Sequence, residues 1–336
     1  MSRPKAIDRR AFLKLAGCAG IAAGLPLVSP AIGLAGLDRR WRVAQATRMM
    51  MGTVVAVTVV DTSAARAQQA LEQALARMSA LSPLFDRHQG CGPVRDLNLS
   101  GRLRELDPDL ERVLALCRQV HRISGGAFDI TVAPVIDLYR RSFARGHRPS
   151  REQVQQALAA VGALRRDGKG LVLTRPGAAV TLDGVAKGYI ADAGLAAARK
   201  AGAENVLINA GGDIVVSGHD RGRPWRVAVA DPHHPQRPKV VVPMTVGALA
   251  TSGNYEVYFD RQRLFHHIVN PHTGRSPHAD LQASVRAPRA ALADAMSTAC
   301  FVLRPPAAVR LLRARGLEGL IFTRHHQRYM TPGFLA

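Results

Sequence analysis

The chain has 336 residues, 47% of them hydrophobic and 21% charged, enough apolar material for one large globular domain or two ordinary ones. A formal net charge of +21 points to anionic partners, yet the charge is scattered arginine and aromatics are only 5%, which argues against a nucleic-acid module. Four cysteines without metal-ligand spacing imply no disulfide framework.

Residues 1–35 are expected to be a targeting segment outside the fold, and 36–336 the working domain. Arg9 and Arg10 precede Ala11, Phe12, Leu13 and Lys14, and an apolar, Gly- and Ala-rich stretch runs from Leu15 to Leu34. This resembles a bacterial twin-arginine export signal. The resemblance implies passage through the export machinery and a periplasmic location, with attachment to the inner membrane as the alternative if the stretch is kept as an anchor.

Thr53–Asp61 is β-branched and reads as a strand. Leu71, Leu75, Met78 and Leu81 recur at helical spacing over 63–81. A second helix opens with Asp107 as N-cap and Pro108 in its first turn, and buries Leu110, Leu114 and Cys117. Ser150 and Gln153 form a capping box for a third, which stops near Gly162. The Arg-rich stretch 140–151 reads as a surface connection between lobes. Strands are expected at 171–174 and 179–182, a helix over 185–201, and strands at 206–209, 224–230 and 239–245. A helix containing Asp294, another from Pro306 to Arg315 and a strand at 319–323 complete the chain. Without a regular βα repeat, this order predicts an α+β fold, a mixed layered sheet-and-helix domain with room for two lobes.

Asp294 and Thr298 stand four apart in an apolar helical run, so both oxygen groups lie on one face. A hard cation such as magnesium takes oxygen ligands of this kind. Equally, Asp294 is suited to cap a helix or pair with an arginine, and Thr298 to bond a carbonyl one turn back. Glycine-bearing segments accompany the pair: Met51-Gly52-Thr53, Gly126-Ala127-Phe128-Asp129 before Pro134, Gly184-Val185-Ala186-Lys187-Gly188-Tyr189, Gly211-Gly212-Asp213, Ala250-Thr251-Ser252-Gly253 and His267-Ile268-Val269-Asn270-Pro271-His272-Thr273-Gly274. None matches the dinucleotide fingerprint or the P-loop, and each alone reads as a turn, the Gly211-Gly212 segment as a hairpin.

Taken together with Ala293-Asp294-Ala295-Met296-Ser297-Thr298-Ala299, and in this order, these segments resemble the ApbE-type FAD:protein FMN transferases. The resemblance spans Met51 to about Val302. It implies a transferase that cleaves the FAD pyrophosphate, joins FMN through its phosphate to a Thr or Ser hydroxyl of an acceptor protein, and releases AMP. It further implies Mg2+ held by Asp294, Thr298 and the Gly184 carbonyl, and FAD held by Met51, Phe85, Ala127, Phe128, Asp129, Lys187 and Ile268. His267, with the metal-bound region around Asp294, is the candidate to take the acceptor proton. The expected partner is an acceptor flavoprotein subunit of a respiratory or redox complex, with no nucleic acid involved. A His-rich zinc or copper site over His266, His267, His272 and His278 is the weaker alternative. Two departures stand out. The carboxylate before Ala186-Lys187-Gly188 is Asp183, two positions later than in the family, and Asn270 replaces the usual Asp. An FAD pyrophosphatase, with water as acceptor, and a non-catalytic flavin-binding protein remain as alternatives.

Overall fold

The computed structural model describes residues 40–335, apart from 89, 233, 235, 236, 263 and 279, so the export signal expected over 1–35 lies outside the described residues. No helix among the described residues is long and apolar enough to cross a membrane. In chain order the elements are β1 (Arg42–Met50), β2 (Thr53–Asp61), α1 (Ala64–Phe85), α2 (Pro93–Ser100), β3 (Arg102–Leu103), α3 (Pro108–Ile123), α4 (Ala133–Ala144), α5 (Arg151–Leu158), β4 (Leu164–Asp167), β5 (Gly170–Leu173) and α6 (Ala186–Lys200). There follow β6 (Asn205–Ala210), β7 (Asp213–Ser217), β8 (Trp225–Ala230), β9 (Pro238–Met244), β10 (Val246–Gly253), β11 (Asp280–Ala287), α7 (Ala290–Val302), α8 (Pro305–Ala314), β12 (Glu318–Thr323) and β13 (Arg328–Met330).

An eight-stranded sheet in the order β1-β2-β6-β7-β10-β11-β12-β13 organises the molecule. Every neighbouring pair in it is antiparallel. Alternation in β2 sorts its side chains: Val55, Val57 and Val59 join the main core with α1, α6 and α7, whereas Val60 joins a second core with Trp225, Val227 and Met244 of the β8–β9 hairpin. The result is three layers, helices on one face of the sheet and a hairpin on the other. Residues 93–173 leave this sheet and return, adding α2 to α5 and a small sheet β3-β5-β4.

Two close approaches fix the helices that matter for the site. Gly194 of α6 lies where a Cβ would sit 2.7 Å from Met78 Sδ of α1. Gly188, at the start of α6, lies where a Cβ would sit 2.3 Å from the Ala290 carbonyl oxygen of α7. Only a residue without a side chain lets α6 and α7 come this near.

The expected helices and most expected strands form, with two differences. Residues 179–182 are extended but pair with no strand. Val180 donates its N–H to Asn98 Oδ1 at 2.7 Å and accepts from Asn98 Nδ2 at 2.9 Å, while Thr181 N donates to the Ile130 carbonyl at 2.7 Å. A side chain thus satisfies backbone that a ladder would otherwise serve. The Arg-rich stretch 140–151 is not simply a connection, since Arg140 to Ala144 complete α4 and Arg151 opens α5.

Candidate active site

Lys187 sits at the head of α6, where three carboxylates meet. Its Nζ is 3.1 Å from Asp213 Oδ2, 3.7 Å from Asp294 Oδ2, and donates to the Asp183 carbonyl at 3.3 Å. Asp213 is delivered by the β6–β7 hairpin, whose two loop residues, Gly211 and Gly212, have φ of +67° and +102°. A two-residue turn of this hand needs positive φ at both positions, which glycine adopts without strain. The Asn209 Oδ1 accepts from Gly212 N at 2.8 Å and fixes the turn. Asp294 comes from α7, where its Oδ2 accepts from Gly188 N at 3.1 Å. The capping role open to Asp294 is therefore realised, and on top of it lies the ion pair.

Three acids around one ammonium leave the recess short of positive charge. Burial, then the nearby Asp213, push the Asp294 carboxyl up to about 8, against the pull of Lys187 and the Gly188 N–H. Burial likewise raises Asp213. Burial raises Glu256 to about 7, with Lys187 opposing and Asp213 reinforcing. Burial alone would lower Lys187, but Asp213, Asp294 and Glu256 together raise it, so it stays charged. Asp213 Oδ2 is buried against the Lys187 ammonium.

Thr298 lies against Gly184 and beside Phe128. A Cβ on Gly184 would lie 3.0 Å from Thr298 Oγ1 and 3.3 Å from Phe128 Cε2, so all three border one point. Thr298 does not bond back along its helix. Its Oγ1 lies 3.3 Å from Ser252 Oγ, and it is Ser297 that donates to the Asp294 carbonyl, at 2.9 Å. Lys187 is no solvated helix lysine, being paired as described.

The remaining expected residues come from several parts of the chain. Met51 occupies the β1–β2 turn with φ +53° and packs half-buried on the main core. Phe85 is buried at the end of α1, edge-on to Tyr189 at 5.6 Å between centroids. Ala127, Phe128 and Ile268 are buried as well. Asp129 is partly committed: its Oδ1 accepts from Thr131 N at 2.7 Å and Thr131 Oγ1 at 2.5 Å, and its Oδ2 is 3.5 Å from His121 Nδ1. Asp183 has 54% of its side chain exposed and lies 3.7 Å from His88 Nε2. Partial burial opposes its charge, yet His88, Thr181 and Arg87 hold it below the usual carboxylate range.

His267 Nδ1 lies 3.0 Å from the Val257 carbonyl. A carbonyl only accepts, so Nδ1 carries the hydrogen and Nε2 the lone pair. Burial lowers its pKa, with Lys187 and Arg140 adding to the effect, and the ring is a neutral base at neutral pH. The His-rich alternative does not assemble. His266 Nε2 is spent on the Pro277 carbonyl at 3.0 Å and His272 Nε2 on the Gly125 carbonyl at 3.0 Å. Among the described residues, no three His, Cys, Asp or Glu side chains converge as metal ligands.

Asp213 and Ser252 stand in the glycine-bearing segments without an assigned role, and Glu256, His88 and Arg87 were not singled out from the sequence. Asp213 carried a signal, since it ends the Gly211-Gly212 turn. Glu256 follows Tyr255 in irregular chain and carried none.

The helix-backed antiparallel sheet is that of solved ApbE structures. The ApbE protein from Thermotoga maritima superposes with a TM-score of 0.79 at 28% identity, over 87% of this chain and 98% of that one. The flavin transferase ApbE from Vibrio cholerae gives 0.74 at 21% identity over 88% and 98%, a likeness of fold alone. Residues 51–321 match the ApbE family, and the chain belongs to that family. It is 29% identical to the FAD:protein FMN transferase of Treponema pallidum over 84% of both chains. It is 25% identical to that of Haemophilus influenzae over 92% of this chain and 94% of the relative.

Proposed function

We propose that this protein is an FAD:protein FMN transferase that moves FMN from FAD to a Thr or Ser hydroxyl of an acceptor protein and releases AMP. The observation that carries the reading is the cation-poor recess, in which, among the described residues, Lys187 alone faces Asp213, Asp294 and Glu256 beside Gly184 and Thr298. Carboxylate, hydroxyl and carbonyl oxygens fit magnesium and not a thiophilic metal, and Asp213 and Asp294 share the single Lys187 ammonium. Asp294, Thr298 and the Gly184 carbonyl would hold Mg2+, which when bound would offset charge on the pyrophosphate.

The residues supply the rest. The acceptor hydroxyl oxygen bonds to the FMN phosphorus as the bond from that phosphorus to the AMP oxygen breaks. The hydroxyl proton passes to His267 Nε2, left free by the bond at Nδ1. Lys187 places fixed positive charge beside the transferred group, where such chemistry depends on positioning and neutralisation. Phe85, Phe128 and Ile268 form a buried apolar floor, with Met51 and Ala127 at its margin and Asp129 offering at most one free oxygen to FAD.

The test is to incubate residues 36–336 with FAD, Mg2+ and an acceptor domain carrying a candidate threonine. Flavin fluorescence on the denatured acceptor supports transfer. Free FMN and AMP without labelled acceptor would turn the reading into that of a pyrophosphatase, and intact FAD would leave only flavin binding. The acceptor we propose is a flavoprotein subunit of a respiratory or redox complex. The twin-arginine pattern supports a periplasmic site of action, and Arg9→Lys with Arg10→Lys is expected to keep the protein in the cytoplasm on cell fractionation.

A further inference from the structure

Arg87 lies in the segment joining α1 to α2, and only 6% of its side chain is exposed. One end of its guanidinium, Nη2, donates to Asp137 Oδ1 on α4. The other end, Nη1, is buried and, among the described residues, has no hydrogen-bond partner. A buried cationic N–H without an acceptor is costly and calls for one that the protein's own groups do not supply. Asp137 is moreover shared, because Arg140 Nη1 lies 3.4 Å from the same oxygen. One carboxylate thus serves two guanidiniums.

Arg87 is linked to the recess through its neighbour in the chain. The next residue, His88, reaches Asp183 at 3.7 Å. The Asp183 carbonyl receives the Lys187 ammonium at 3.3 Å, and that ammonium faces Asp213 and Asp294. Arg87 also acts electrostatically on the Asp183 carboxyl. In FAD the only anionic part is the pyrophosphate, and a guanidinium anchored at one end presents its other N–H groups in a fixed plane suited to phosphate oxygens.

We propose that Arg87, anchored by Asp137, is a phosphate-binding residue of the recess and donates from Nη1 to a pyrophosphate oxygen of bound FAD. This rests on the transferase reading for the identity of the ligand.

Arg87→Met keeps the apolar stem and removes the fork. Equilibrium titrations with FAD and with riboflavin, and competition of FAD by inorganic pyrophosphate, test the role. FAD affinity is expected to fall ~10–100-fold, riboflavin affinity to stay unchanged, and pyrophosphate to stop competing. Equal weakening of FAD and riboflavin would mean that Arg87 only holds its loop, and unchanged FAD affinity would equally overturn the proposal. If Arg87→Met does not fold, Arg87→Lys carries the test. It keeps the charge, loses the planar fork, and is expected to weaken FAD and pyrophosphate together while sparing riboflavin. A parent protein that labels its acceptor while both variants bind FAD normally sinks this inference alone. A parent that shows the Arg87-dependent binding but labels nothing sinks the transferase reading alone.

Discussion

Asp192 on α6 accepts from the N–H groups of Ala290 at 2.8 Å and Ala291 at 2.9 Å, at the start of α7. Asp294 on α7 accepts from the N–H of Gly188 at 3.1 Å, at the start of α6. The two helices cap each other, each with an aspartate, and both carboxyls are raised chiefly by burial. Yet Asp192 commits one oxygen to each amide and, among the described residues, no second carboxylate acts on it, whereas Asp294 spends one oxygen on its amide and shares Lys187 with Asp213. Capping alone makes a joint. A joint turns into a reactive centre when the fold adds more negative charge than the cap and its counter-ion neutralise.

The sharpest way to break this contrast is Asp294→Asn. The amide oxygen can still receive Gly188 N–H, so the variant is expected to fold, while acceptor labelling falls ~100–1,000-fold through loss of a charge-bearing ligand. Full labelling at limiting magnesium would put Asp294 in the same class as Asp192. A pH scan probes the far end of α7, where Phe301 packs edge-on at 5.5 Å against the fully buried His266. Burial lowers His266 from 6.5 to about 4, with His267 and His278 adding to the effect and the Pro277 carbonyl and Asp260 opposing it. Between those values the unfolded chain binds more protons, so stability is complete above pH 6.5 and declines as pH falls toward 4. Denaturant unfolding at pH 7.5 and 4.5 is expected to differ by ~2–3 kcal/mol more in the parent than in His266→Gln.

Gly188→Ala puts a Cβ 2.3 Å from the Ala290 carbonyl oxygen and forces the crossing open. It is expected to cost ~2 kcal/mol and to lower labelling, because Lys187 and Asp294 separate. The smallest effect expected is that of Asp192→Ala, ~1–2 kcal/mol of stability from a lost cap with the labelling rate of folded protein unchanged. A rate loss there as large as that of Asp294→Asn would dissolve the distinction.

The sequence made the crossing visible and its surroundings much less so. Asp294, Thr298, Lys187 and Gly184 were legible because helical spacing and short ordered motifs mark them, and the glycines mark backbone contacts. Val180 and Thr181 misled because β-branched residues favour extended chain whether a strand or a single asparagine meets their hydrogen bonds. The end of α4 was hidden because its last turn, Arg140 to Ala144, carries the arginines that also suit a loop. Glu256 and Arg87 sit in irregular segments, where no period predicts which side chains turn inward. Their importance arises only from burial beside charges supplied by distant parts of the chain.

The main sheet has a further property. Its strands follow one another across the sheet in the order of synthesis, from β1 at one margin to β13 at the other, with only the two smaller sheets set aside. A chain emerging from the ribosome can lay each strand against the one before. At every stage a single fresh margin is open, and a nascent protein halted after β10 would already hold Lys187 and Asp213 but would lack α7. Such a fragment has its lysine paired with one acid and no Asp294. Competence for chemistry is therefore acquired late, when α7 closes over a platform that is otherwise largely built.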